Sequence, residues 1–318
     1  MSEHIDKQEY ITVIGSNFLE FVVWGLIDES LKVYLNTDFS KKRFQTSIWE
    51  HSHAAAAIVL SVIGIEAYRN RIYCLKGIKV DRSVPNDLCK ILRDKKVGFP
   101  ADKLQDILTE VFVTRDVIVH NHIYQVEVLS DEKWAMLGHR QRLLKGYGFD
   151  AKYKRSVNSR TKKTKLLKLN VQPAKIGFED IFKVLVITDL LIAILQNIFG
   201  GGYVPFHVSP KIHASHKISI HHLSSLSKIL NYYYEQIPRR RFIIFLEELS
   251  KQLRNDFANY LPPYPHSDCF ISNICPKCSK LGFNRFDDTH YCRKCGLRMG
   301  FIRDGVLGID FAGKDAGD

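Results

Sequence analysis

The segment VTRDVIVHNHIYQ, residues 113–125, places an arginine, an aspartate and two histidines inside a run that otherwise reads as an apolar helix. Arg115 is a permanent planar cation that can clamp a phosphate or carboxylate at two points. His120 and His122 ionise near neutrality, so either can take up or release a proton under ordinary conditions. On a helix of about 100° per residue with Arg115 at the origin, Leu104, Leu108, Val111, Ile118, Val119 and Val126 lie within about 60° of it. His122 falls at about −20°, Asp116 at about +100° and His120 at about +140°. An arginine in the middle of such a stripe needs an anionic or carbonyl partner, because an unpaired buried cation is costly. Glu66 offers one: Val59, Val62, Ile63 and Tyr73 lie within about 60° of it on an earlier helix. Asn70 follows one turn further along. A Glu66–Arg115 pair is the expected structural contact, yet it leaves the histidines unexplained. Two histidines beside an arginine suit the cutting of RNA.

A second constellation lies near the C-terminus. CPKC and CRKCG place Cys275, Cys278, Cys292 and Cys295 in two C-x2-C pairs. Each pair forms a tight knuckle aiming two sulfurs at one point, and two knuckles supply four thiolates to a tetrahedral Zn²⁺. Four cysteines leave no open coordination position, so the expected role is structural. The stretch resembles a zinc ribbon over about residues 272–300. Lys277, Lys280, Arg285, Arg293, Lys294 and Arg298 make it basic. That surface suits RNA phosphates or simply a passive or protein-docking module. His290 is expected to be a bystander.

The elements that must position these groups read as mainly helical. Residues 11–35, 43–76, about 100–128, 178–199, 222–236 and 239–258 carry helical patterns, and Gly200–Gly202 stop the fourth of them. The proline and turn formers of VDRSVPNDLCK mark a break before or between short elements. Residues 152–168 hold eight lysines and arginines and no acidic residue, too polar to pack, with a short strand or hairpin arm after them. Lys154, Arg155, Arg160, Lys162, Lys163 and Lys165 within this loop are candidate RNA-binding cations, the bland alternative being a solvated loop. Histidines 207, 213, 216, 221 and 222 match no metal-site spacing and read as linker. The expected domains are 1–202, an unassigned helical linker region 203–268, the ribbon 269–303 and a flexible tail 304–318.

Charge and composition narrow the function classes. The chain has 318 residues, 45% hydrophobic and 25% charged, which is a globular and not a disordered balance. A net charge of +12 favours a polyanionic partner, nucleic acid ahead of a membrane surface. No signal peptide is visible in MSEHIDKQEY, and Lys183, Asp189, Gln196 and Asn197 interrupt the most apolar segment, 181–199. That segment reads as a buried helix and not as a membrane span. Cys74, Cys89 and Cys269 are scattered, a reducing-compartment pattern that points to the cytoplasm.

RDVIVH resembles the R-x4-H motif of HEPN ribonucleases, and RDVIVHNHIY with GIEAYRNRIY looks like bacterial HEPN proteins over roughly residues 10–200. The resemblance implies a HEPN-like helical bundle that dimerises so that both motifs face one cleft. It also implies metal-independent endoribonuclease activity in toxin–antitoxin or antiviral defence systems, with a possible antitoxin or defence-system partner. By position Arg115 takes the motif arginine, Asp116 the polar place where asparagine is common, and His120 the histidine. An R-x6-H spacing, also tolerated by the family, would select His122 instead; His120 is preferred. Asp116 would either orient His120 or repel phosphate. In the implied chemistry a histidine deprotonates a ribose 2′-OH, Arg115 stabilises the phosphoryl charge, and no metal takes part. Two rival readings stand beside it: an inactive HEPN-like module binding RNA or an antitoxin, and a DNA-binding regulator using its zinc ribbon.

Overall fold

Apolar residues at three- and four-residue spacing fold into helices that bury one face each, and the described residues are mainly helical. The computed structural model describes residues 23, 25–40, 48–78, 83–120, 124–130, 136–143, 151–199, 226–262, 269–275, 277–281, 283–286, 289–292, 294–301 and 307–310. They fall into two compact units, Met1–Thr188 and Asp189–Asp318. The sequence-based division at 202 differs from this one, which runs through a helix.

In the first unit, α1 covers residues 25–35, α2 Ile48–Leu75, α3 Val84–Lys95 and α4 Ala101–His120. Residues 11–22 of the expected first helix lie outside the described residues. Ile27, Tyr34, Ile58, Ile65, Leu88, Leu92, Leu104 and Leu108 are fully buried and form the core. The break expected before or between short elements at VDRSVPNDLCK leads directly into helix α3 at Val84. Pro85 sits in its first turn, where a missing N–H does no harm. Arg69 on α2 and Asp87 on α3 pair with both side chains buried. Breaking such a pair from one side typically costs about 3–5 kcal/mol.

The expected helix to about Val128 stops earlier. α4 ends at His120, and Tyr124–Ser130 is strand β1, antiparallel to β2 at Met136–Leu143. Tyr124, Val126 and Val128 alternate with Gln125 and Glu127, a period of two that fits a strand. Val126 therefore does not share the face of Arg115.

The basic segment also packs, contrary to expectation. Residues Ala151–Ser156 form α5, and Val157–Asn158 (β3) pairs with Lys163–Thr164 (β4). Tyr153, Leu167, Leu169 and Val171 are buried. Tyr153 and Val171 cluster with Val113 and Val117 of α4. Burying each such side chain is worth about 1.5–3 kcal/mol. Glu110 of α4 accepts the N–H groups of Leu166 and Leu167, both at 2.8 Å. Lys154, Arg155, Arg160, Lys165 and Lys168 are exposed, while Tyr153, Ser156, Thr164, Leu167, Leu169 and Val171 pack inward.

The helix α6, Phe178–Phe199, is bounded where the sequence places it. Its free N-terminal N–H groups are met by carboxylates: Glu50 accepts from Phe178 at 2.8 Å, and Asp180 from Gly177 at 3.1 Å. Among the described helices α6 is the one long and apolar enough to cross a membrane, and 83% of its apolar window is buried within the fold.

In the second unit, α7 covers Leu226–Gln236 and α8 Arg240–Phe257. Four short strands follow: β5 Phe283–Phe286, β6 Thr289–Cys292, β7 Arg298–Phe301 and β8 Leu307–Asp310. They form an antiparallel sheet in chain order. The expected flexible tail from 304 is thus part of the sheet at Leu307–Asp310. The histidine-rich stretch 203–222 lies outside the described residues.

Candidate functional site

One face of α4 supplies the floor of a cleft of about 460 Å³. Gln105, Thr109, Phe112 and Arg115 line it at helical spacing, followed by Asp116. Glu66 of α2 reaches in from one side, and the residues that open α3, Ser83 to Asn86, form a wall. Lys152 and Arg155 of α5 contribute two more cations. Part of the basic segment 152–168, expected either to bind RNA or to be a solvated loop, therefore lines the cleft.

Arg115 is half-buried and held on three sides. Its Nη2 lies 3.5 Å from Glu66 Oε1, the pair expected from the sequence. Its Nε lies 3.0 Å from Asp116 Oδ1, without the alignment of a hydrogen bond. Its guanidinium carbon stands 5.5 Å from the Phe112 ring centre. A distance of 3.5 Å to Glu66 is a loose contact, so an entering anion can compete for that end of the fork. Asp116 is buried and also takes Lys152 Nζ at 2.6 Å. Arg155 pairs with Asp106 at 2.5 Å on the exposed side.

Of the stripe expected on α4, Leu104, Leu108 and Val111 are fully buried. Val113 and Val117 are fully buried, whereas Val119 is 49% exposed. α4 is covered on two sides, by α2 and α3 and by the α5 segment, so its buried arc widens beyond the face of Arg115 to take in Val113 and Val117. His120, the last residue of α4, is exposed and not among the residues lining the cleft. His122 lies outside the described residues. Asn70 is exposed on α2 and likewise does not line the cleft.

The candidate RNA-binding cations are dispersed. Lys154, Arg155, Arg160 and Lys165 are exposed, and Lys162 and Lys163 partly so. Lys165 Nζ donates to the Lys154 carbonyl at 3.0 Å. Of these six, only Arg155 reaches the cleft. Lys152, which the sequence did not single out, does so as well. Its signal was spacing: Lys152 and Arg155 are three apart on a short helix and share a face. Behind the floor, burial pushes the Glu110 carboxyl up, opposed by the N–H groups of Leu167 and Leu166.

The four cysteines converge as their spacing implies. All four sulfurs lie within 4.8 Å of one another, and Cys275–Cys295 and Cys278–Cys292 are each separated by 3.6 Å. Four sulfurs at 2.3 Å from a tetrahedral Zn²⁺ stand about 3.8 Å apart, so the donor set fits such an ion. The two knuckles are built alike. Ser279 N–H donates to Cys275 O at 2.9 Å, and Gly296 N–H to Cys292 O at 2.8 Å. Ser279 and Gly296 both have positive φ, 54° and 71°, which turns the chain back beneath the sulfurs. Burial pushes the Cys275 and Cys278 thiols up, Cys278 to about 12, whereas a bond from the Leu297 N–H lowers that of Cys295. Lys277, Lys280 and Lys294 are exposed around the knuckles.

No protein-family model matches this chain, and neither a curated protein nor a solved structure does.

Proposed function

We propose that the protein is a metal-independent endoribonuclease that cleaves RNA by attack of a ribose 2′-OH on the neighbouring phosphorus, and that it acts in toxin or anti-phage defence. The observation that carries this reading is Arg115 at a cleft with Lys152 and Arg155, less than two turns from an exposed His120 on the same helix. A phosphate entering the cleft meets three cations, and Arg115 can hold the charge that builds on the phosphoryl oxygens. His120 is the proposed acid–base group. It does not line the cleft that Arg115 lines, so the reading calls for two copies of the chain packed through the exposed end of α4. Val119 there offers apolar area for such contact. The HEPN resemblance of residues 115–120 supports the same arrangement. Zn²⁺ held by Cys275, Cys278, Cys292 and Cys295 supplies folding energy to the ribbon and takes no part in cleavage. The protein is assigned to the cytoplasm.

One observation favours a second reading. Arg115 is held by Glu66 and Asp116 and His120 stands outside the cleft, which suits an RNA- or antitoxin-binding module without catalysis. Incubating the zinc-loaded protein with RNA and with single-stranded DNA separates the two. Cleavage of RNA alone, persisting in chelator, is expected. Tight RNA binding with no cleavage would favour the binding module.

A further inference from the structure

The cleft offers more than a phosphate requires. A phosphate group alone would engage Arg115, Lys152 and Arg155 and leave the rest of the lining idle. Val84 and Pro85 in the wall and Phe112 in the floor are apolar, and the residues Asn86 and Gln105 line the same cleft with side-chain amides. Among the described residues neither amide has a hydrogen-bond partner. Each presents two N–H donors and a carbonyl acceptor, the pairing that reads the edge of a nucleobase. The Thr109 hydroxyl donates to the Gln105 carbonyl of the backbone at 2.6 Å, which leaves its oxygen able to accept.

Size and charge agree with this. At about 460 Å³ the cleft falls in the range of small-molecule sites, about 300–1,000 Å³, and is large for a bare phosphate. The lining cations are Arg115, Lys152 and Arg155 and the lining carboxylates are Glu66 and Asp116, one charge in favour of an anion. A purely apolar ligand would leave five ionic groups desolvated, and a metal cation would face the guanidinium groups. The ligand class with an anionic end, a flat apolar body and a hydrogen-bonding edge is the nucleotide.

We propose that this cleft seats one nucleotide of the RNA strand and selects its base. The phosphate lies against Arg115, Lys152 and Arg155, the base lies against Pro85 and Phe112, and Asn86 and Gln105 read its edge. This deepens the endoribonuclease reading, on which its RNA substrate rests, by adding a sequence preference at the bound nucleotide.

The test is equilibrium binding of inorganic phosphate and of the four ribonucleoside 3′-monophosphates to the full-length, zinc-loaded protein by titration calorimetry. The tightest nucleotide should bind at least about tenfold better than phosphate, the scale of one well-made edge contact plus wall burial. Asn86 is exposed and Gln105 partly so, so the variants Asn86→Ala and Gln105→Ala should keep the fold. They should narrow the spread among the four nucleotides and leave phosphate affinity unchanged. Arg155→Gln should weaken phosphate and all nucleotides alike. Nucleotides binding no better than phosphate, or a spread untouched by both amide variants, would overturn the proposal. Cleavage is scored apart from this: nucleotide selection without RNA cleavage leaves the pocket standing and removes the catalytic reading, and cleavage without selection does the reverse.

Discussion

At the scale of the residue, Asp116 decides how much positive charge the cleft can offer. Its carboxylate lies 2.6 Å from Lys152 and 3.0 Å from Arg115 Nε, so it orders both cations while cancelling one of them. The sequence left two roles open for this position, orienting His120 or repelling phosphate. The charge it sets beside Lys152 and Arg115 makes the second open to a direct test. Asp116→Asn keeps an acceptor oxygen and removes the charge. RNA affinity should rise about threefold to tenfold at low salt, with a steeper dependence on salt, because more counterions are released on binding. Weaker binding with an unchanged slope, read by filter binding across a salt series, would contradict this role.

At the scale of the element, helix starts and buried carboxylates shape the stability of the first unit. Glu50 closes the N-terminus of α6 and is buried, and desolvation raises its carboxyl from the ordinary 4.5 to about 7. The folded state therefore holds this proton more tightly than the unfolded chain. Its contribution is full below about pH 4.5 and is lost as pH rises through about 7, on the order of 3 kcal/mol in all. Glu50→Gln keeps the oxygen that accepts from Phe178 and removes the titration. Denaturant unfolding at pH 5 and pH 8.5 should show the variant gaining on the native protein at the higher pH. A constant difference between the two proteins would refute the linkage. What the sequence made legible at this scale follows from pattern strength. The helical period of α6 and the even spacing of the paired cysteines each favour one reading over its rivals. Residues 113–128 have two, since their valines and isoleucines fit a helical face up to His120 and an alternating strand after Tyr124. The packing of α5 and its hairpin was illegible because the lysines are numerous and the inward residues few. The turn formers around Pro85 leave open whether a short element follows or precedes the break, and Pro85 in fact opens α3.

At the scale of the whole molecule, the ribbon is tied to the helices of its own unit. Glu247 of α8 accepts Tyr234 of α7 at 3.0 Å and Lys280, two residues beyond Cys278, at 2.8 Å. Arg254 donates to the carbonyl of Ile274, beside Cys275, at 2.7 Å. Metal loss should therefore loosen α7 and α8 as well as the knuckles. Metal analysis of the purified protein should give about one zinc per chain, and Cys278→Ser should lose it. Limited proteolysis of that variant should then open sites within residues 226–262. A metal-free chain that resists protease there would contradict the arrangement. The catalytic reading also makes a demand on assembly. Light scattering at micromolar concentration should report about twice the 36.7 kDa of one chain, and a monomer under cleaving conditions would contradict a shared site.

The polar cluster at the end of α4 is proposed to cut RNA, and the cleavage rate of His120→Ala reads out that role. His120 is exposed, so its loss should leave unfolding and nucleotide binding unchanged. The native protein, measured in chelator with its zinc bound, should yield 2′,3′-cyclic phosphate and 5′-hydroxyl ends. His120→Ala should slow that reaction by about a hundredfold or more, the scale of losing a general acid–base group. Full activity in both His120→Ala and His122→Ala, or cleavage that strictly requires added Mg²⁺, would contradict the account.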